Sequence, residues 1–235
     1  MNQKYQLTLA ALTLSLVTAC GGDSSSNRTT MPVPAMSAAT QSYRVTVKNL
    51  GYAQPLSPIA VILHSRGFSG WVLGAPASVA LEELAEGGDN MAFRANGILA
   101  VSGSGAIGPG GSESVDVTVD ETDDLRLTVA TMLVNTNDGF TGVTREKLDD
   151  LAIGESRTMS MPIYDAGTEA NMELSGTIPG PADGGEGFNE ARDDVDYVAR
   201  HPGVVTGADG YADSILDEAH RFDSPIALLT IERME

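Results

Sequence analysis

Short runs in which apolar and polar residues alternate constrain the fold of this chain more than any other feature. Tyr43, Val45 and Val47 alternate with polar neighbours, and residues 115–119 repeat the pattern with valines. A period of two is that of a β-strand with one face in a core and the other in water. Residues 59–63 are instead continuously apolar and rich in β-branched side chains, which predicts a buried strand.

Further strands are predicted by the same reasoning. Apolar or alternating runs cover residues 98–101, 125–134, 156–161 and 226–231. The acidic turn at 120–124 predicts that the strands on either side of it form a hairpin. Many short strands separated by turn signals predict an all-β fold, an antiparallel β-sandwich.

One short helix is predicted between these strands. Ser78 is a good N-terminal cap, apolar residues recur after it at helical spacing, and Gly87 and Gly88 end the pattern. The glutamates of the segment fall on the opposite side and are expected to face water. The predicted apolar face consists of Leu81, Leu84 and Ala85, and the predicted solvent-facing glutamates are Glu82, Glu83 and Glu86.

The beginning of the chain has the features of a bacterial export signal. Lys4 supplies a positive charge, and the apolar stretch that follows it is too short to span a bilayer. The sequence VTAC at 17–20 looks like a lipoprotein cleavage site, at which Cys20 becomes the lipidated N-terminus. Gly21, rather than an aspartate, follows the cysteine. This predicts an outer-membrane lipoprotein of a Gram-negative bacterium, on the periplasmic face or the cell surface.

Composition divides the chain into three predicted parts. Residues 1–19 are the signal peptide, and residues 20–41, rich in Gly, Ser, Thr and Pro, are a flexible tether. Residues 42–233 form one domain, because a chain of 235 residues with 42% hydrophobic content can bury one sizeable core. Cys20 is the only cysteine, so no disulfide can form within the chain.

The charge balance limits the possible partners. The chain carries 32 acidic and 14 basic residues, which gives a formal net charge of −18. Nucleic acids and anionic membrane surfaces are therefore excluded as partners, and membrane contact is expected only through the lipid anchor. Cations and basic ligands suit this charge better.

Two acidic loops are the candidate site. The sequence TMLVNTNDGF at 131–140 reads as a strand that enters a turn, and YDAGTEAN at 164–171 is a short loop with Gly167 as its pivot. Carboxylate, amide and carbonyl oxygens from two loops are the ligands that a hard cation such as Ca²⁺ takes. The same residue types also occur in ordinary surface turns. A zinc site is disfavoured, because three scattered histidines and one lipidated cysteine do not make a tetrahedral set.

The order of these motifs resembles that of the spondin amino-terminal domain family. The similar segments are YRVTVKNL at 43–50, MLVNTNDGF at 132–140, YDAGTEAN at 164–171 and PIALLTIER at 225–233. The family includes the matrix proteins F-spondin and mindin and many bacterial lipoproteins. The likeness covers roughly residues 42–232 and implies a β-sandwich that resembles a C2 domain.

The resemblance also implies a set of metal ligands. Asp138 and Asp165 stand where the family has metal-binding aspartates, and a calcium ion is the implied cofactor. Asp120 is the expected third carboxylate, and Glu169 is a further ligand or an outer residue. His201, in the sequence VARHPG, is expected to approach the acidic site.

The function predicted from these features is that of a non-catalytic recognition or adhesion domain on a lipid anchor. Calcium would fix loops that contact a surface protein or a polysaccharide. No catalytic residue is assigned. Two alternatives stay open at this point: a metal-assisted hydrolase, which would need an open coordination position and a general base, and a purely structural envelope lipoprotein.

Overall fold

Residues 39–235 are described by the computed structural model, and they contain ten strands and two α-helices. The predicted signal peptide, Cys20 and the tether up to residue 38 lie outside the described residues. The strands are β1 (Thr40–Asn49), β2 (Ala60–His64), β3 (Leu99–Ser102), β4 (Ser112–Asp120), β5 (Arg126–Met132), β6 (Gly139–Lys147), β7 (Ser156–Met161), β8 (Ile163–Asp165), β9 (Ala199–Arg200) and β10 (Ala227–Arg233). The helices are α1 (Val79–Gly87) and the single turn α2 (Met91–Arg94).

These strands form two antiparallel sheets. One sheet has four strands in the order β4-β1-β10-β7, and the other has six in the order β3-β2-β5-β6-β8-β9. The predicted all-β sandwich with little helix is confirmed. Thr40 and Gln41 already belong to β1, where they pair with Asp120 and Val119 of β4. The first strand therefore begins two residues before the predicted domain boundary at 42.

The four-stranded sheet explains the alternating segments. Tyr43, Val45 and Val47 of β1 are buried, and the residues between them are more exposed. Val115 and Val117 of β4 follow the same rule. One face of this sheet therefore packs against the second sheet, and the other faces solvent.

The six-stranded sheet is covered on both faces, which explains the continuous apolar runs. Every residue of β2 and β5 is buried. On the inner face, Val61 and Val129 join the core between the sheets, and on the outer face Ile62 and Ala130 pack under α1 and its flanking loops. The outer cluster also includes Leu81, Leu84, Phe93, Trp71, Phe140 and Tyr164.

Helix α1 begins where its cap predicts. The Ser78 side chain accepts a hydrogen bond from the Leu81 amide at 3.2 Å, and Gly88 ends the helix with φ of 68°. The prediction that its glutamates face water is wrong for Glu82 and Glu86, which are 2% and 1% exposed. The reason is the long segment after β8, which folds back over this side of the helix and supplies partners to both carboxylates.

The predicted hairpin across the acidic turn 120–124 is also wrong. Strand β4 pairs with β1 in the four-stranded sheet, whereas β5 pairs with β2 and β6 in the other. The turn therefore carries the chain from one layer of the sandwich to the other. In the described part of the chain, no helix has the length and apolar character needed to cross a membrane.

Candidate functional site

The two acidic loops meet at one end of the six-stranded sheet. Strand β5 ends at Met132, a tight turn follows, and β6 begins at Gly139. Strand β8 pairs with β6 so that Gly139 lies opposite Asp165. Asp138 therefore immediately precedes the residue that pairs with Asp165. The pairing of the neighbouring strands β6 and β8 brings the two carboxyl groups close together.

The turn that carries Asp138 is held by side chain to backbone hydrogen bonds. The Asn135 amide donates to Gln54 Oε1 at 2.7 Å, and Asn135 Nδ2 donates to the Ala53 carbonyl at 2.9 Å. Thr136 Oγ1 donates to the Leu133 carbonyl at 2.7 Å and accepts from the Gly139 amide at 2.9 Å. These bonds fix the turn before any ligand arrives.

The second loop turns at Gly167, where φ is +70°. A Cβ atom at this position would lie 2.3 Å from the Tyr197 carbonyl oxygen, so only glycine fits. The Gly167 amide donates to Asp165 Oδ1 at 2.8 Å, and Asn171 Nδ2 donates to Asp165 Oδ2 at 2.6 Å. The Asp165 carboxylate is thereby oriented by its own loop.

Asp138 is fully buried, and its two oxygens have different surroundings. Oδ2 accepts from the Thr168 amide at 2.8 Å, the Thr168 hydroxyl at 3.3 Å and the Glu169 amide at 3.2 Å. Oδ1 has no hydrogen-bond partner among residues 39–235. A buried carboxylate oxygen without a donor is costly, so this atom is the strongest mark of a missing ligand in the site.

Burial, together with the charge of Asp165, raises the pKa of Asp138 to about 8. Burial also raises the pKa of Asp165. The pKa of Asp194 is raised by burial and by the charge of Asp165. The charge of Asp165 thus disfavours the ionised form of both Asp138 and Asp194, as a like charge in a desolvated site does.

Glu169 follows on the second loop, and its backbone amide, rather than its carboxyl group, binds Asp138. Its Oε1 accepts from Asn137 Nδ2 at 3.4 Å, while its Oε2 is buried without a partner in the described part of the chain. Burial raises the pKa of Glu169 to about 7, and the charge of Glu86 acts in the same direction. We call Asp138, Asp165 and Glu169 the acidic loop cluster.

Asp120 does not belong to this cluster. It is exposed at the end of β4, opposite Thr40 in the four-stranded sheet. Asp120 precedes the start of β5, whereas Asp138 follows its end, so the length of that seven-residue strand, roughly 20 Å, separates them. The resemblance implies a third carboxylate on the strand before β5, but here that strand, β4, lies in the other sheet.

His201 does approach the acidic loop cluster. A Cβ atom on Gly139 would lie 3.0 Å from His201 Cδ2, and the ring packs edge-on against Phe222. The Gly203 amide donates to His201 Nδ1 at 3.1 Å, so the ring proton is on Nε2, which has no acceptor in residues 39–235. Burial lowers the pKa of His201 to about 4.

Sequence reasoning missed several residues that build the site. The sequence pattern does not distinguish Thr168 from other loop residues, yet Thr168 donates to Asp138 through both its amide and its hydroxyl. Asp194 and Asn171 were not singled out. The only available signal for Asp194 was the acidic run RDDVD at 192–196, which is also typical of a solvated loop.

The carboxylates alone do not make a complete metal centre. Within residues 39–235, no three side chains of the His, Cys, Asp and Glu types gather into a group that could hold a metal ion. A bound cation would therefore need neutral oxygens of the same loops, or water, in addition to the acidic loop cluster. Comparison with known proteins adds no further guide, since no protein-family model and no curated protein matches this chain.

Proposed function

We propose that this protein is a lipid-anchored recognition domain of the cell envelope, of spondin type, in which one calcium ion binds at the acidic loop cluster. The observation that carries the proposal is Asp138 Oδ1, a fully buried carboxylate oxygen without a donor, placed beside a second buried carboxylate. Such a pair is unfavourable when both groups are ionised, and a divalent cation removes the repulsion.

The residues present fit a hard cation. Asp138 Oδ1 is a buried oxygen without a donor in the described residues, and Asp165 is held next to Asp138 by its own loop. Glu169 Oε2 is a second buried oxygen without a donor there, and its nearest charges are those of Glu86, Asp193 and Glu186. Calcium accepts carboxylate, amide and carbonyl oxygens in flexible geometry, so these loops offer the right chemistry. When bound, the ion would supply positive charge that cross-links the two loops.

The recognition role rests on where the cluster lies. Both loops of the cluster are largely buried, and the long connection between β8 and β9 covers them through hydrogen bonds at Thr177, Ala182, Asp193 and Asp196. An ion that ties the two loops together would hold this covering segment in a fixed shape for contact with a partner. A surface protein or polysaccharide is the proposed partner. Attachment through Cys20 rests on the sequence alone, since that residue lies outside the described residues.

Calorimetric titration of calcium into the full chain, after removal of metal with a chelator, tests the proposal. We expect one site, and we expect Asp138→Asn and Asp165→Asn to weaken binding by at least about tenfold, because each removes a negative charge from the ion. Asp138→Asn keeps the shape of the side chain, so the variant should remain folded.

Asp123→Asn is the matched control, because Asp123 is exposed in the turn before β5, whereas Asp138 follows the opposite end of that strand. It should leave calcium binding unchanged. Absence of binding heat at millimolar calcium, or equal weakening by the control, would remove the cation site from the proposal.

A further inference from the structure

A solvent-open groove of about 410 Å³ lies along one side of helix α1. One wall is the helix itself, where Val79 and Glu83 are four residues apart and share a face. The other wall is the segment 188–192, which belongs to the long connection between β8 and β9. The residues that line the groove are Val79, Glu82, Glu83, Phe188, Glu190 and Arg192.

The second wall is fixed to the helix at both ends. At one end, the Asn189 amide donates to Glu86 Oε2 at 2.9 Å, and Phe188 lies against Gly87. At the other end, Arg192 binds Glu82 through two hydrogen bonds of 3.0 Å and 2.6 Å. The groove is therefore formed in advance of any ligand, and its shape does not depend on a mobile loop closing over it.

Among the described residues that line the groove, Arg192 is the only basic one, and it is already bound to other groups of the domain. Arg192 donates to both oxygens of Glu82, to Asp196 and to the Ala77 carbonyl. In the described residues, no basic side chain forms an ion pair with Glu83 or Glu190. The groove thus carries two carboxylates, one from each wall, with no counter-charge of their own.

Apolar surface lies between these carboxylates. Val79 is 59% exposed and Phe188 is 37% exposed, although both are apolar and stand in a strongly acidic neighbourhood. A ligand that matches such a groove needs an aliphatic part for Val79 and Phe188 and a positive charge for Glu83 and Glu190. A lysine side chain has this construction, since its four-carbon stem covers apolar surface while its ammonium group stays polar.

We propose that this groove binds a lysine side chain on an exposed segment of a partner protein. Charge complementarity selects the occupant, because two unpaired carboxylates attract an ammonium group and repel an acidic partner. A second copy of this chain fits poorly, since its formal net charge is −18. Arginine fits less well than lysine, because its planar group is suited to one carboxylate in a bidentate pair rather than to one on each wall.

This inference specifies the partner of the recognition domain proposed above, and in that sense it rests on that function. It does not rest on the cation, because none of the groove residues belongs to the acidic loop cluster. Binding measured in chelator therefore tests the groove separately from the calcium site.

Nuclear magnetic resonance of the ¹⁵N-labelled full chain provides the test. The probe is the blocked peptide acetyl-Lys-Ala-Lys-Ala-Lys-amide, titrated at low salt in the presence of chelator. We expect saturable shifts of the Val79, Glu83, Phe188 and Glu190 amides that weaken as salt is added. The same peptide with acetylated lysines keeps the stems but loses the charges, and it should produce no such shifts.

Two double variants test whether the peptide binds in the groove. Glu83→Gln with Glu190→Gln should raise the dissociation constant at least about fivefold, because two ion pairs are lost. Glu121→Gln with Asp123→Asn removes the same charge from a distant exposed turn and should change it less than about twofold. Spectra of the free variants establish that they are folded.

Three outcomes would overturn the proposal. Shifts that map away from the groove, or that are absent, would show that lysine does not bind there. Equal weakening by both double variants would show only general attraction to an acidic protein. Equal binding of the acetylated peptide would show that the groove takes an apolar ligand without regard to charge.

Discussion

Asp138 lies one residue before Gly139, and Gly139 is paired directly with Asp165 across strands β6 and β8. Sheet pairing, rather than a local loop motif, therefore sets the separation of the two carboxyl groups. Because the strands are hydrogen-bonded, the carboxylates cannot move apart to reduce their repulsion without opening the end of the sheet.

Calcium affinity should depend on pH in a defined direction. Burial and the charge of Asp165 raise the pKa of Asp138 to about 8, and the pKa of Glu169 is raised to about 7. Metal-free protein at pH 6 therefore holds protons that calcium must displace, so affinity should rise as pH increases from 6 to 8. Calorimetry in two buffers of different ionisation enthalpy would detect the released proton.

The same pKa shifts determine whether the stability of the metal-free protein rises or falls with pH. A carboxyl group whose pKa is raised on folding contributes fully below its unfolded pKa near 4, and this contribution is lost as pH rises through its folded pKa. Without metal the folded state should thus lose stability between about pH 4 and 8, and Asp138→Asn should reduce the slope. A flat profile in both proteins would contradict the assigned shifts.

The ion pair between Arg192 and Glu82 should matter more than the surface pairs. The Glu82 side chain is only 3% exposed, so Arg192→Gln leaves a buried charge without its partner. We expect a loss of about 3–5 kcal/mol in the free energy of unfolding, measured with urea. Replacing both residues by glutamine should cost less than Arg192→Gln alone.

Arg44→Gln is the control for this comparison. Arg44 pairs with Asp116, but both side chains are largely exposed. Its loss should cost much less than the loss of Arg192, because solvent screens an exposed pair. Equal effects of Arg44→Gln and Arg192→Gln would contradict the structural role assigned to Arg192.

Gly167→Ala should destabilise the domain and weaken calcium binding together. The substitution forces a Cβ atom to within 2.3 Å of the Tyr197 carbonyl oxygen at a position with φ of +70°. Gly154→Ala is the matched control, because φ there is +80° but nothing lies within 4 Å of the added atom. The control should cost about 1–2 kcal/mol from backbone strain alone, and Gly167→Ala clearly more. Urea unfolding of both variants makes the comparison, and equal costs would show that the close approach is relieved by a small shift.

Lipidation of Cys20 should hold the protein at the outer membrane. A cysteine that carries several acyl chains anchors firmly, whereas a single chain binds only marginally. Cys20→Ser should therefore release the protein into the soluble periplasmic fraction on cell fractionation. A variant that stays with the membrane after a carbonate wash would show that the anchor is elsewhere.

The sandwich was accessible from sequence because period-two alternation reports directly on a half-buried strand. Tyr43, Val45 and Val47 gave β1, and the continuously apolar run 59–63 gave β2. Strand β6 was missed, since it begins at Gly139 inside what reads as a turn. Pairing between strands carries no local signal, and for that reason β4 and β5 were wrongly joined in a hairpin.

Only part of the candidate site could be predicted from the sequence, for a related reason. Asp138 and Asp165 are marked by the loops that carry them, whereas Asp120 was expected from the family resemblance and lies at the end of β4 in the other sheet. Glu82 and Glu86 were assigned to solvent because helical periodicity shows which side of a helix is polar. It does not show that a segment more than 90 residues later will cover that side.

The position of β10 between β1 and β7 has a consequence for the order in which the chain can fold. A polypeptide is synthesised amino end first, so β1 exists long before β10 does. Until then the four-stranded sheet lacks one of its two central strands, and one edge of β1 stays open to pairing with other chains. We therefore expect the four-stranded sheet to close only after residues 227–233 have been made.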